Sequence, residues 1–338
     1  MRPTIAVDAM GGDHAPTVVV AGAVAAAREL DVAIRLVGPT ALVADELARV
    51  VDAPASDWRS RITQVDAPDV IGMDEAPLAA LRRKPGASIK VAVDCVARGD
   101  ADACYSAGHT GATLLSAHAA FGLVDGAERP ALAVLMPTLT GQAVLLDTGA
   151  TLDCRPEHLR AFAMMGAAYA RLLLKLDAPR VGLLSIGEEP GKGNDLIREV
   201  HALLSAVPGL TFAGNLDARD MFSGHVDVIV TDGFTGNVAL KVGEGLVDTL
   251  ERMLRREVGQ STASRIANWL VGRGFKRLKA RMDAGERGGA PLLGVNGLAI
   301  VGHGRSEARA VRNGIATAAQ LVNEGLVGRL RDALRMRQ

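Results

Sequence analysis

Aromatic residues are scarce in this chain: two tryptophans, two tyrosines and six phenylalanines make up 3 % of it, against 49 % hydrophobic residues in all. Its core must therefore be assembled mainly from Ala, Val, Leu and Ile, which suits a parallel sheet covered by helices on both faces. Cysteine is scarce as well. Cys95, Cys104 and Cys154 are odd in number and too scattered for a disulfide framework or a zinc site, which fits a reducing, cytosolic setting. Net charge is missing: 38 basic and 38 acidic residues cancel, so the chain as a whole lacks the electrostatic footprint of a nucleic-acid binder. A long apolar run is also missing. The longest uninterrupted stretch of apolar residues and glycine, Val18 to Ala27, falls far short of the ~20 residues needed to cross a bilayer. The start, Met1-Arg2-Pro3-Thr4, runs into a strand pattern without a signal-peptide core. What is left is the expectation of a cytoplasmic α/β protein.

Glycine and β-branched residues are plentiful, and their order is informative. Apolar strand-like runs recur: Thr4 to Asp8, Ile34 to Gly38, Ala103 to Ala107, Ala131 to Met136, Ala143 to Asp147, Val181 to Ile186, Val226 to Thr231 and Leu298 to Gly302. Helical stretches such as Pro156 to Leu174 and Asp195 to Val207 separate many of them, and Pro16 opens another, where its missing N–H costs nothing. Repeated strand–turn–helix units predict a doubly wound, largely parallel sheet sandwiched by helices. No repeat or linker divides residues 1–338, so a single α/β domain is expected. One segment breaks the rhythm. From Leu246 to Met282 the pattern is helical, with Leu246, Leu250, Met253, Leu254 and Val258 in one stripe, which predicts a helical hairpin inserted over residues 244–285.

Ligands of open parallel sheets bind beyond the carboxyl ends of the strands, where helix N-termini offer free N–H groups. Five small, polar, glycine-rich loops follow strands here: 8–16, 106–112, 186–194, 232–237 and 302–306. Together they point to an anion or phosphate site. A dinucleotide is disfavoured, because Gly11-Gly12-Asp13-His14-Ala15-Pro16 lacks the Gly-x-Gly-x-x-Gly spacing and the second strand ends without a ribose-binding acid. No Walker lysine motif appears. Lys192, set between glycines, is either a point charge for bound phosphate or a solvated surface lysine. Histidines 14 and 303 are either ligand-orienting or structural. Cys104 lies within a strand and reads as a buried thiol. Asp8, Asp147 and Asp232 end strands; metal binding and capping of backbone amides are both open to them.

The loops closely resemble those of the bacterial acyl-ACP:phosphate acyltransferase family of phospholipid synthesis. The motifs are Val-Asp-Ala-Met-Gly-Gly-Asp at 7–13, Ser-Ala-Gly-x-Thr-Gly-Ala at 106–112, Arg-Pro-Ala-Leu at 129–132 and Leu-Asp-x-Gly-Ala at 146–150. Further on come Ile-Gly-Glu-Glu with its following Lys-Gly at 186–193, Asp-Gly-Phe-Thr-Gly-Asn-Val at 232–238, Leu-Leu-Gly at 292–294 and His-Gly at 303–304. The likeness runs from Ile5 to about Ala318. Two positions depart from it: His109 stands where the family usually has asparagine, and Arg305 where it has small residues.

The resemblance implies a homodimer with an isopropylmalate-dehydrogenase-like fold that works without metal or cofactor. Its reaction turns acyl-ACP and inorganic phosphate into acyl phosphate and free acyl carrier protein, and a membrane glycerol-phosphate acyltransferase then takes the acyl phosphate. Carried onto this chain, the candidate catalytic residues are Lys192, Asp232 and His303. Asp8, Gly11, Gly12, Asp13, Ser106, Gly108, His109, Thr110, Gly111, Gly193, Asn194, Gly233, Thr235, Gly236 and Asn237 are the candidate substrate-binding set. The chemistry suits these residue types. Phosphate dianion is a competent nucleophile and a thiol of pKa about 8.5 leaves readily, so charge positioning and oxyanion donors are what the protein must supply. An acetyl-phosphate-forming transferase that uses coenzyme A is the nearest rival, and a non-enzymatic membrane scaffold of lipid synthesis is another.

The predicted hairpin holds ten basic and three acidic residues between Arg252 and Arg287, a local excess of seven in a chain of zero net charge. Trp269, Leu270, Val271 and Phe275 form an apolar group among those cations. Helix stems that pair two copies, with a tip that touches anionic lipid, would account for both features.

Overall fold

The computed structural model describes residues 2–50, 57–257, 272–275 and 288–335. The expected α/β class holds, and the strands divide between two sheets. The larger sheet has seven strands in the order β3-β2-β1-β4-β12-β11-β5. These are β1 (Thr4–Asp8), β2 (Ala33–Gly38), β3 (Ile62–Asp66), β4 (Ala103–Ser106), β5 (Ala131–Leu132), β11 (Ala290–Leu293) and β12 (Ala299–Val301). The smaller sheet, in the order β6-β7-β10-β8-β9, comprises β6 (Val134–Thr138), β7 (Gly141–Leu146), β8 (Val181–Ser185), β9 (Phe212–Asp217) and β10 (Val228–Val230). Pairing is parallel through β3, β2, β1, β4 and β12 and again through β7, β10, β8 and β9. Only the pairs β11–β12, β11–β5 and β6–β7 are antiparallel among the described residues.

The predicted strand from Ala131 to Met136 is in fact two strands. Ala133 sits between them, its N–H bonded to the Pro291 carbonyl, so β5 joins the larger sheet and β6 the smaller. Helices α1 (Thr17–Glu29), α2 (Thr40–Arg49), α3 (Pro77–Arg83), α4 (Ser88–Ala97) and α5 (Thr110–Phe121) follow strands or loops of the first part of the chain. Helix α6 (Pro156–Leu174) has the predicted bounds, with Pro156 at its first position, and it packs on β7 and β10. Helix α7 (Asp195–Ser205) leans on α6, α8 spans Gly233–Glu257, α9 (Ala308–Asn323) lies along α1, and α10 (Leu326–Arg335) packs on α6.

Aliphatic residues fill the interior, as the composition requires. One buried cluster runs through both sheets, taking in Ile5 and Val7 of β1, Val144 and Leu146 of β7, Val228 and Val230 of β10, and Phe162 of α6. Burial of such side chains, at about 1.5–3 kcal/mol each, welds the sheets into a common frame. Helix α8 crosses the expected hairpin boundary at residue 244 without a break. Residues 258–271 and 276–287 lie outside the described residues, and 272–275 form a single helical turn. Among the described residues no helix is long and apolar enough to cross a membrane.

Candidate functional site

Parallel register lines up strand ends, and it does so twice. In the larger sheet β4 lies between β1 and β12, with Val7 opposite Tyr105 and Val301 opposite Ser106, so Asp8, Ser106 and Gly302 end neighbouring strands. Asp8 is buried. Its Oδ2 accepts a 2.7 Å bond from the Ser106 hydroxyl, whose oxygen accepts the Gly108 N–H at 3.1 Å, and its Oδ1 accepts the Met10 N–H at 3.2 Å. Burial pushes the Asp8 carboxyl above its ordinary pKa, while bonds from the Ser88 and Ser106 hydroxyls and the Met10 amide pull the other way. Gly11 lies over this group. A Cβ there would stand 2.7 Å from both Asp8 Oδ2 and the Gly108 nitrogen, so only glycine lets the two loops meet. Asp13 donates its N–H to the Gly304 carbonyl at 2.8 Å, which draws the 302–306 loop into the same group.

His109 precedes α5 and acts as its N-cap. Its Nδ1 accepts the Ala112 N–H at 3.4 Å, so the ring proton sits on Nε2 and is donated to the Glu75 carbonyl at 2.9 Å. Glu75 is itself held by Lys84 Nζ and the Gly72 N–H. Both imidazole nitrogens are thus engaged with protein. Thr110 is exposed and Gly111 half-buried at the first turn of the helix. His303 is exposed, and its Nδ1 accepts the Arg305 N–H at 3.1 Å within its own turn.

The smaller sheet repeats the arrangement with different side chains. Strands β7, β10 and β8 are adjacent and parallel, with Val230 opposite both Leu146 and Leu183. Asp147, next after β7, is fully buried and accepts four backbone N–H bonds: Leu132, Gly149 and Ala150 on Oδ1, Thr151 on Oδ2. Burial raises its pKa against the pull of those four amides. Because Leu132 belongs to β5, this carboxylate ties the larger sheet to the smaller, and Asp147 is a brace and not a metal ligand. Asp232 caps α8, its Oδ1 accepting the Thr235 N–H at 2.8 Å and its Oδ2 the Thr235 hydroxyl at 2.7 Å. A Cβ on Gly233 would come within 2.6 Å of Asp147 Oδ2, so a larger residue would displace the brace. Asn237 is exposed one turn into α8.

Beyond β8, Asn194 caps α7 through a 3.0 Å bond from the Ile197 N–H to its Oδ1. Lys192 and Gly193 lead into that cap. The lysine is exposed, its stem lies against Gly187, and it has no ion-pair partner among the described residues. Ser185 is a residue that sequence reasoning missed: its hydroxyl is buried at the end of β8, without a hydrogen-bond partner among the described residues. The signal for it was its place as the last residue of a strand feeding a glycine loop. Ala150, in the Asp147 loop, packs against the apolar cluster that also takes in Ala112 of α5. No hydrogen bond or ion pair joins Lys192, Asp232 and His303 to one another among the described residues.

Other candidates drop away. The Cys104 thiol, buried within β4, is pushed up to about 12 by its burial, so it is no nucleophile at neutral pH. Among the described residues no cluster of His, Cys, Asp and Glu is arranged to hold a metal. Trp269, Leu270 and Val271 lie outside the described residues, and Phe275 is half-buried in its helical turn. The α7 and α8 starts follow adjacent strands of the smaller sheet, β8 and β10, with the exposed Lys192 just before α7. Such a set can bind and orient a phosphate-sized anion.

The family described as fatty acid synthesis protein matches residues 3–329. The chain is 50 % identical over 331 residues to the phosphate acyltransferase of Thermus thermophilus, an alignment that covers 98 % of each chain. It is 47 % identical over 324 residues to the phosphate acyltransferase of Desulforudis audaxviator, covering 96 % of this chain and 94 % of the relative. Among solved structures, a phosphotransacetylase from Streptococcus pyogenes has a TM-score of 0.64 over 95 % of this chain and 94 % of its own, at 18 % identity. A 4-hydroxythreonine-4-phosphate dehydrogenase from Klebsiella pneumoniae has a TM-score of 0.53, with 95 % and 99 % covered, at 13 % identity. These two are likenesses of fold.

Proposed function

The chain belongs to the phosphate acyltransferase family, and we propose that it takes its acyl group from long-chain acyl-ACP to make acyl phosphate for phosphatidic acid and phospholipid synthesis. Transfer of an acyl group to phosphate is the family's reaction; the donor and the pathway are our reading. The observation that carries it is the exposed Lys192 just before α7, in the loop that follows β8, the strand beside β10 and its Asp232–Asn237 helix start. Lys192 and the adjoining helix-start amides hold the phosphate dianion. One phosphate oxygen attacks the thioester carbonyl carbon, the new C–O bond forms, and the C–S bond breaks. The sulfur leaves as thiolate and takes a proton from solvent, which a thiol of pKa about 8.5 does readily near neutrality. Asp232 fixes the first turn of α8 through Thr235, and Asp8 with Ser106 fixes the Gly108 turn, so the loops are in place before substrate arrives.

Side-by-side assays with phosphate and either hexadecanoyl-ACP or acetyl-CoA, trapping acyl phosphate as hydroxamate, test the donor. The expected kcat/KM is at least about 100-fold higher for the acyl-ACP. A preference for acetyl-CoA would overturn the reading in favour of an acetyl-phosphate-forming enzyme.

We also propose a homodimer paired through α8 and a peripheral contact with anionic membrane. Val238, Val242, Leu246, Leu250, Met253 and Leu254 repeat at helical spacing on α8 and are exposed, a stripe that supports pairing with a second copy. Membrane contact at Trp269, Leu270, Val271 and Phe275 rests on the sequence and places the product near a membrane glycerol-phosphate acyltransferase. Sedimentation with phosphatidylserine vesicles should carry the protein down at low salt and release it at high salt. Protein left in the supernatant at low salt would remove the membrane contact.

A further inference from the structure

Three large apolar side chains stand exposed at the rim of the smaller sheet, and none belongs to the set that would hold phosphate. Leu152 is 57 % exposed, Ile186 79 % and Phe234 64 %. Each is the immediate chain neighbour of a residue that builds the rim. Leu152 follows Thr151, Phe234 follows Gly233, and the Gly233 N–H donates to the Thr151 carbonyl at 2.9 Å, so the two loops leave one point in the fold. Ile186 follows Ser185, which lies two residues past Leu183 on β8, just as Asp232 lies two residues past the paired Val230 on β10. The α8 stripe does not account for the trio, because Leu152 and Ile186 sit on other loops.

We infer that Leu152, Ile186 and Phe234 form the subsite for the apolar chain of the acyl donor; this rests on the acyl-ACP reading above. Covalent geometry supports the assignment. The carbonyl carbon that phosphate attacks carries the chain as its next bond, so the first methylenes must run over whatever borders the phosphate-holding loops. In the loops of the smaller rim these three are the most exposed large apolar side chains. Apolar groups left in water beside an anion site are unfavourable in the free protein and become favourable when a hydrocarbon covers them. A ligand with an anionic centre and an apolar tail matches both halves of the rim.

The test compares wild type with Leu152→Ser/Ile186→Ser/Phe234→Ser, using butanoyl, octanoyl and hexadecanoyl thioesters of ACP at saturating phosphate. In wild type kcat/KM should rise with chain length. In the triple variant the ratio of hexadecanoyl to butanoyl kcat/KM should fall at least about tenfold, the effect of uncovering roughly two methylene groups. Calorimetric binding of unreactive S-alkyl pantetheines of the same lengths reads the subsite without turnover, and the same flattening is expected. An unchanged slope in the variant overturns the subsite, even if the enzyme proves active on acyl-ACP. An unchanged slope with a lower mass by sedimentation also overturns it and gives Phe234 to the subunit contact. A wild type that binds long alkyl chains more tightly, loses that in the variant, and yet does not turn over acyl-ACP upholds the subsite and refutes only the donor.

Discussion

The rims of the two sheets are built on one plan and finished in opposite ways. Each has three parallel strands ending side by side, with a buried aspartate at the end of one of them: Asp8 on the larger sheet and Asp147 on the smaller. On the larger rim the polar groups around Asp8 turn inward, while Thr110 and His303 stay exposed. Asp8, Ser106, Gly108 and His109 all satisfy one another or nearby backbone, and a glycine is needed to fit the loops together. On the smaller rim the aspartate is consumed by four amides, and Lys192 and Asn237 face outward and are exposed. The contrast teaches a division of labour. On the function proposed above, the larger rim is a frame that fixes the backbone, and the smaller rim, with Lys192, meets the phosphate.

The two aspartates themselves give the sharpest way to break that comparison. Asp147→Asn puts an amide donor against N–H donors on one side or the other, because every partner of Asp147 is a backbone N–H. We expect a loss of about 2–4 kcal/mol in denaturant unfolding at neutral pH, one or two buried donors left without acceptors. Asp8→Asn should change stability by less than about 1 kcal/mol, since the Ser106 hydroxyl can turn and accept from the new amide. Equal losses in the two variants would erase the distinction. The pH response adds a sign. Burial raises the Asp8 pKa in the folded protein, so the stability this group contributes is complete below its unfolded pKa of about 4 and is lost as pH rises through the folded value. Asp8→Asn removes that loss, and its Tm should gain on wild type as pH rises above about 4. A constant or shrinking difference over that range would contradict the buried, pKa-raised carboxylate.

His109 tests the same contrast with a smaller effect. As a frame residue it supplies an N-cap and a bond to the Glu75 carbonyl. His109→Asn keeps a capping oxygen, so activity should stay within about threefold of wild type, whereas His109→Ala should lose about 1 kcal/mol of stability. A large loss of turnover in the asparagine variant at normal Tm would move His109 among the groups that act on substrate.

Much of this could be read from the residues, for physical reasons that also explain the failures. Strands β1, β4 and β8 were legible because they are continuous apolar runs buried on both faces. Strand β3 was not, because Ile62-Thr63-Gln64-Val65-Asp66 lies at a sheet edge and is partly exposed. Pro291 hid β11, since proline speaks against an inner strand, and Gly214 with Asn215 hid β9. The break at Ala133, where the chain passes from one sheet to the other, leaves no mark in hydropathy. At the site, the glycine loops announced themselves. The bracing role of Asp147 did not, because all four of its donors are backbone amides, one of them from Leu132 on another strand.

On the proposed function the smaller rim holds the reacting phosphate while the larger rim only frames it. Steady-state kinetics of Lys192→Ala with phosphate as the varied substrate test it most directly. Losing one charge-assisted bond should raise the phosphate KM or lower kcat, so that kcat/KM for phosphate falls roughly 10- to 150-fold, with a smaller change in KM for the acyl donor. A folded Lys192→Ala enzyme with wild-type phosphate kinetics would contradict the account and return Lys192 to the solvated surface.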